Sequence, residues 1–525
     1  ERMDIAYHFF SESIKYLQHS SEALEIGKKI EKGFKLLGIN PLDINLEQIK
    51  NNPKYTDDQV ILMITSKLGN LENRRTKNKV KRKRKGASIA INSHTLDIGG
   101  AERQVSLLLR LLSSKKIKSD NFALITNSIP NSESRDTYYP LIDGLGIEIY
   151  EYSKPRGYYG SYDIEKEIEE LIMLMAPLKS KRILSMIPLF KKGQYDIVHT
   201  WQDWCNIYGG LAALISGCNK IILSGRTLPP IHKSRLQARS GRSYANAYRH
   251  LLSCSEITMT HNSDSGRIAY SEWLNLPKDD FTVVHNGLET GKFSDLDAER
   301  VNQIREELGI SEKTKIVGTV GRLTSDKRPW IFLGVAERIL AKTDDFAHSP
   351  QLQKWIDENS KQSSVDDELV NNNILQIEDE INFIIVGDGP QFEKAQEIVE
   401  KSEILRNKVH LVGYSSEVNA FLGMFDCFIL TSKVEGLPNV IIEAQFCGIP
   451  VLTTDAGGAK ECFLEGETGY LSESDSVGSI SEKLISILSD KKFLNDSKQK
   501  SIEFAKEAFG EDTWAKKINK LYLEK

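Results

Sequence analysis

The sequence predicts an α/β protein with two Rossmann-like parallel-sheet domains in series, preceded by a helical appendage. From Ala87 onward, short apolar strands alternate with helical segments, an order that builds a parallel sheet covered on both faces. The alternation runs twice, interrupted by the Asn286-Gly287 turn and the polar helix Ala298–Leu308. A chain of 525 residues also exceeds what one core accommodates.

Residues 1–73 carry no strand signal. Phe9, Phe10, Ile14, Leu17, Leu24, Ile26 and Ile30 recur at helical spacing, and Gly38 stops the run. A second helical unit holds Leu46, Ile49, Val60, Ile61, Met63 and Ile64. This appendage is expected to pack on the main body; binding a partner is the alternative. From Arg74 to Lys85 nine of twelve residues are Lys or Arg, a block that repels itself and marks residues 74–86 as a linker. Contact with an anionic membrane surface, at about 1 kcal/mol per basic residue, is the second reading, and both can hold together. Few aromatics interleave with the block and the whole chain carries a net charge of −4, so nucleic acid is not an expected partner.

Residues 87–290 read as the first domain. Ala87–Asn92 is a short strand, followed by the glycine turn Gly99-Gly100 and the apolar helix Val105–Leu112, the strand–turn–helix opening of a phosphate-binding βα unit. Further strands are expected at Phe122–Thr126, Ile147–Tyr150, Ile197–Thr200, Ile221–Ser224, Ile257–Thr260 and Thr282–His285. His199, Trp201 and Asp203 fall at a strand's C-terminal end, where α/β sheets place ligands. For His199 a structural and a functional role weigh equally. The cluster Trp201-Gln202-Asp203-Trp204 either stacks on the C–H face of a ligand or packs in the core. Arg226 follows the next strand and either reaches the site or joins Lys233, Arg235, Arg239, Arg242 and Arg249 in a solvated basic face.

Residues 310–510 read as the second domain. Lys315–Val320 is a strand, and Gly321-Arg322-Leu323-Thr324-Ser325-Asp326-Lys327 follows it. Two cations there suit a leaving diphosphate, Arg322 as a planar fork and Lys327 as a point charge. Residues 341–380 form a polar, acidic insertion, helical around Leu352–Ile356 and Val365–Leu369. Strands follow at Ile381–Val386, Val409–Tyr414, Cys427–Leu430 and Gly448–Leu452, with glycine turns at Gly387-Asp388-Gly389 and Gly457-Gly458. The helix Thr513–Leu523, within the segment 511–525, closes the chain and is expected to cross back to the first domain.

The chemistry centres on Glu435-Gly436-Leu437-Pro438-Asn439-Val440-Ile441-Ile442-Glu443. Pro438 suits the first turn of a helix, whose free amides receive an anionic group. Glu435 stands at the mouth of the loop and Glu443 about one and a half turns into the helix. Two carboxylates and free amides suit a ligand rich in hydroxyls and phosphates, such as a nucleotide sugar.

With Gly321–Lys327 before it and Gly-Gly-x-x-Glu at Gly457–Glu461 after it, this stretch resembles the Glu-x7-Glu motif of retaining GT-B glycosyltransferases, family 4 (glycosyl transferases group 1), of the bacterial envelope-polysaccharide type. The resemblance covers about residues 87–525. It implies two Rossmann-like domains facing across a cleft, and transfer of a hexosyl or N-acetylhexosaminyl group from a nucleotide sugar, first UDP-linked, to a glycan or lipid-linked acceptor. It further implies that Glu435 binds donor sugar hydroxyls, Glu443 the ribose, and Arg322 and Lys327 the diphosphate. Gly100, Gly321 and the backbone of Leu437, Pro438, Asn439 and Val440 would complete the cradle, with Gly413 and Tyr414 flanking the base. Many relatives keep a second histidine where this chain has Trp201, so no histidine role is carried onto that position.

No nucleophilic carboxylate stands out in the first domain, which favours front-face attack over a covalent intermediate. The cations do the work of a metal, so neither metal nor cofactor is expected; Asp295-Leu296-Asp297 reads as surface. A nucleotide-sugar epimerase and a non-catalytic partner-binding scaffold are the alternatives. The six scattered cysteines lack any Cys-x-x-Cys pair and read as free thiols. No apolar run approaches the ~18–20 residues of a membrane span, and no signal peptide is visible. The expected place is the cytoplasm, peripheral on the inner membrane face if the basic run makes contact.

Overall fold

The computed structural model describes residues 56–75, 87–129, 138–154, 158–160, 164–230, 235–294, 297–342, 346–360 and 379–523. The helical expectation for Phe9–Leu37, the basic run beyond Arg75 and the helix expected at Val365–Leu369 lie outside these residues. By its contacts the chain divides into two units. One holds the described residues up to Asn262 with Gly266–Val284 and those from Lys516 on; the other holds Ser263–Ser265 and His285–Ala515.

The first unit is built on seven parallel strands: β1 (Ser88–Asn92), β2 (Asn121–Thr126), β3 (Glu148–Glu151), β4 (Ile197–Trp201), β5 (Lys220–Gly225), β6 (Ile257–His261) and β7 (Phe281–Val283). They lie side by side in the order β3-β2-β1-β4-β5-β6-β7. β1 and β4 are buried along their whole length, as strands covered on both faces must be. The order reverses between β1 and β4, and such a switch point leaves a crevice at the strands' C-terminal ends.

The helix Thr56–Arg75 is part of this core. Val60, Ile61, Ile64 and Leu68, at helical spacing, are buried with Ile168 and Ile172. Their burial contributes roughly 6–12 kcal/mol. Its first turn is anchored as well: Asp57 pairs with Lys179 and accepts from Tyr208 Oη (3.2 Å), and Asp58 accepts from Asn246 Nδ2 (2.7 Å). The packing expected of the appendage is therefore met by this helix, which runs two residues past Asn73 into the basic run.

The second unit carries six parallel strands: β8 (Lys315–Val320), β9 (Ile381–Val386), β10 (Val409–Gly413), β11 (Cys427–Leu430), β12 (Val451–Thr453) and β13 (Gly469–Leu471), in the order β10-β9-β8-β11-β12-β13. Its switch point lies between β8 and β11. β12 begins at Val451 and not at Gly448, because Gly448 takes φ 74° and turns the chain before Pro450. β13 has three residues, too few for alternation to show in sequence.

Part of the polar insertion is core. The helix Pro350–Ser360 buries Leu352, Trp355 and Ile356, and the Trp355 ring lies 5.6 Å from that of Trp330. The last helix, Glu511–Leu523, places Trp514 in the second unit and Tyr522 in the first. All six cysteines are free, and only Cys254 among them is partly exposed. No helix among the described residues is long and apolar enough to cross a membrane.

Candidate active site

In the second unit, the chain leaving β8 forms a loop held by glycines the sequence shows only as a turn. Gly321 N donates to Val386 O (2.9 Å), Leu323 N to Asp388 O (2.9 Å) and Gln391 N to Leu323 O (3.0 Å). A Cβ on Gly387, at φ 136°, would stand 2.0 Å from Gly321 O, and one on Gly389 would stand 2.6 Å from Leu323 O. Only bare backbone fits there. These contacts set Arg322 at the C-terminal end of β8, its carbonyl accepting from Thr324 N (2.8 Å) and its exposed side chain with no hydrogen bond or ion pair to any described residue.

Lys327 ends the short turn Ser325–Lys327, and the next residue locks that turn to β11. Arg328 is buried in a left-handed conformation (φ 50°). It donates to Thr431 O (2.6 Å), Ser432 O (3.0 Å) and Asp475 Oδ2 (2.5 Å). Thr431 Oγ1 donates to Lys327 O (2.9 Å), and Lys433 N to Asp326 O (2.7 Å). The segments leaving β8 and β11 are thus fastened together at the switch point.

Glu435 follows on the β11 side, and its carboxylate forms an ion pair with Lys327. Its backbone N donates to Ala456 O (3.1 Å). A Cβ on Gly458 would stand 1.9 Å from Gly436 O, so that glycine is what lets Glu435-Gly436 lie against the Gly457-Gly458 turn. Pro438 occupies the cap position before the helix Asn439–Phe446, and not its first turn as the sequence suggests. No side chain caps that helix start, which leaves its dipole end available to an anion.

Leu437 is buried, and its carbonyl accepts from Asn286 Nδ2 (3.2 Å); Asn439 Oδ1 accepts from the same nitrogen (2.6 Å). Asn286, legible only as a turn residue, thereby fixes the loop before the helix. Val440 is half-buried and Glu443 buried in the helix. Gly413 ends β10 with φ 75°, and Tyr414 beyond it is 60% exposed, its ring open to a planar ligand. Glu461 accepts from the amides of Asp264 (2.7 Å) and Ser265 (2.8 Å) and meets His285 Nε2 (3.2 Å). Burial would raise its carboxyl; these bonds outweigh it and hold the group below the usual range.

The first unit places its candidates differently from one another. Gly100 is the first residue of the helix Gly100–Ser113, with Gly99 as cap. The carboxylate of Glu102 folds back over that start, and a Cβ on Gly99 would stand 2.3 Å from its Oε2. Burial pushes the Glu102 carboxyl up, and Gln202 Nε2 donates to its Oε1 (2.9 Å). Gln202 itself takes φ 67°, a strained conformation at the exit of β4. Neither residue stands out in the sequence: Glu102 reads as an ordinary first-turn acid, and strain at Gln202 has no local signature.

Trp201 is 1% exposed, and Arg226 lies over its ring at 4.5 Å. The indole thus packs in the core and shows no face to a sugar. Arg226 is buried, not part of a solvated basic face; burial pushes its guanidinium down to about 9, with Glu102 acting against it. His199 is buried with Nδ1 at 3.0 Å from Tyr522 Oη, and burial lowers it to about 3. Asp203 Oδ1 accepts from both Tyr248 and Tyr270 (2.7 Å each), which ties it to the core. Of the Asp-x-Asp pair, Asp297 caps the helix Ala298–Glu307; Asp295 lies outside the described residues.

Residues 368–507 match the family model of glycosyl transferases group 1. The chain is 29% identical over 397 residues to the Vi polysaccharide biosynthesis protein VipC/TviE of Salmonella typhi, covering 73% of this chain and 62% of that protein. It is 26% identical over 327 residues to the UDP-Gal:alpha-D-GlcNAc-diphosphoundecaprenol alpha-1,3-galactosyltransferase of Escherichia coli, covering 61% of this chain and 73% of that enzyme. The chain therefore spans about three fifths of the first relative's length. Among solved structures, Anabaena Alr3699/HepE in complex with UDP and glucose superposes with a TM-score of 0.59 at 17% identity, covering 83% of this chain and 99% of that one. WaaG, a glycosyltransferase involved in lipopolysaccharide biosynthesis, superposes with a TM-score of 0.54 at 14% identity, covering 83% and 100%. The two parallel sheets are those of the GT-B fold, and the sequence over residues 368–507 is similar to glycosyl transferases group 1.

Proposed function

We propose that this chain is a retaining glycosyltransferase of polysaccharide biosynthesis, moving a hexosyl or N-acetylhexosaminyl group from a UDP-sugar to a glycan or lipid-linked acceptor. The observation that carries this reading is the convergence of Arg322, Lys327 and Glu435 at the β8–β11 switch point, beside an uncapped helix start. Arg322, Lys327 and the helix amides hold the diphosphate; Glu435 takes the sugar hydroxyls and Glu443 the ribose. Each charge-assisted bond contributes about 1.5–3 kcal/mol. As the bond from the anomeric carbon to the phosphate oxygen breaks, the diphosphate gains charge that Arg322 and Lys327 stabilise. The acceptor oxygen attacks from the same face, its proton passes to the departing phosphate, and configuration is retained.

Titrating UDP-, GDP- and ADP-sugars and following their slow hydrolysis tests the donor. NMR of the product's anomeric proton tests retention, and the same spectra without acceptor reveal any epimerisation. Undiminished transfer by Glu435→Ala would refute the site. Sedimentation with anionic vesicles, before and after neutralising Arg74–Lys85, tests peripheral attachment: loss of binding is expected.

A further inference from the structure

We propose that the Lys327–Glu435 ion pair makes this site prefer the intact nucleotide sugar over the free nucleoside diphosphate. The inference rests on the donor reading above. Of the two cations at the switch point, Arg322 has no partner among the described residues, whereas Lys327 is already neutralised by Glu435. Both halves of the pair sit on fastened backbone. Thr431 Oγ1 holds Lys327 O, and the buried Arg328 clamps the adjoining segment. Glu435 N bonds to Ala456 O, and the bare Cα of Gly458 lets Gly436 settle against it.

A diphosphate alone can engage Arg322. To engage Lys327 as well, it must strip Glu435 of its counter-ion and leave that carboxylate facing added negative charge. A sugar on the diphosphate removes the conflict. Its hydroxyls donate to Glu435 while the phosphate oxygens accept from Lys327, so each half of the pair exchanges one partner for another. Once the sugar has been transferred, Glu435 loses its hydroxyl donors and the pair re-forms. That weakens the hold on the diphosphate and favours its release. With side chains 32% and 12% exposed, the pair is partly screened, and the effect is about fivefold in affinity.

Isothermal titration of the wild type and Glu435→Gln with UDP, GDP and ADP, and with UDP-glucose, UDP-N-acetylglucosamine, GDP-mannose and ADP-glucose, tests this. For the nucleotide the wild type binds, Glu435→Gln is expected to bind the free diphosphate about fivefold tighter and to lose the added affinity for its sugar form. The gain should fade as salt approaches about 1 M. A neutralised pair contributes little to a free diphosphate, so Lys327→Met/Glu435→Gln should bind it within about twofold of the wild type. Unchanged or weaker diphosphate binding by Glu435→Gln, at wild-type melting temperature, overturns the proposal and leaves the donor reading standing. So does a loss of about tenfold in the double variant, which would show Lys327 gripping the diphosphate independently of Glu435. Failure of the wild type to bind any of these nucleotides overturns both.

Discussion

Gly387→Ala tests how the Arg322 loop is held. The added Cβ would stand 2.0 Å from Gly321 O, where real Cβ atoms essentially never come closer than 3.0 Å. Backbone on one side or the other must therefore move by about 1 Å. The obstruction is a main-chain carbonyl, so no side chain can swing aside. Gly387 also holds φ 136°, a conformation costing alanine about 1–3 kcal/mol. Overpacking adds about 1–3 kcal/mol, for a total of about 2–6 kcal/mol. The bonds Gly321 N to Val386 O and Gly387 N to Gly413 O are the ones at risk. A shift of about 1 Å at Arg322 is expected to lower donor turnover about 10²-fold. Urea unfolding and donor hydrolysis measure the two effects. Gly309→Ala is the reference, since Gly309 has φ 67° but nothing within 4 Å of the added atom. It should lose about 1–2 kcal/mol and no turnover. If Gly387→Ala behaves like Gly309→Ala, the close approach does not position Arg322.

Arg322→Ala should leave the unfolding midpoint unchanged, because the side chain is exposed and unpartnered among described residues, while donor turnover falls on the order of 10²–10³-fold. Trp355→Ala, in the insertion helix, should cost about 3–5 kcal/mol in urea unfolding through the cavity left beside Trp330, with turnover per folded molecule preserved. His199 has its folded-state pKa lowered from 6.5 to about 3 by burial, so the unfolded chain binds its proton first. The stability it allows is complete above pH ~6.5 and drains away as pH falls toward about 3, by on the order of a few kcal/mol. His199→Phe should flatten that acid limb in urea titrations from pH 7 to 4; an unaltered slope would refute the assignment.

The architecture was legible because the terms that build it are local. Buried parallel strands are rich in apolar residues, so Lys315–Val320, Ile381–Val386 and Cys427–Leu430 declare themselves. The elements that stayed hidden are those whose stability is borrowed from elsewhere. β13 has three residues and is a strand only because β12 pairs with it. The helix Pro350–Ser360 was itself legible around Leu352–Ile356, and only its place in the core, set by the packing of Trp355 on Trp330, was not.

For the site, the residue types and spacing of Arg322, Lys327, Glu435 and Glu443 were determined by sequence, since charge and hydrogen-bonding capacity are properties of the side chain itself. Tertiary structure alone decided which of these charges are free and which are paired. Arg322 stands unpartnered while Lys327 meets Glu435, 108 positions along the chain. It decided also that Trp201, for which stacking and core packing weighed equally, and Arg226, expected at the site or on a solvated face, are buried against each other. The reason is one of range. An alternating pattern reports on neighbours a few residues away, whereas an ion pair or a buried cation depends on segments that only folding brings together.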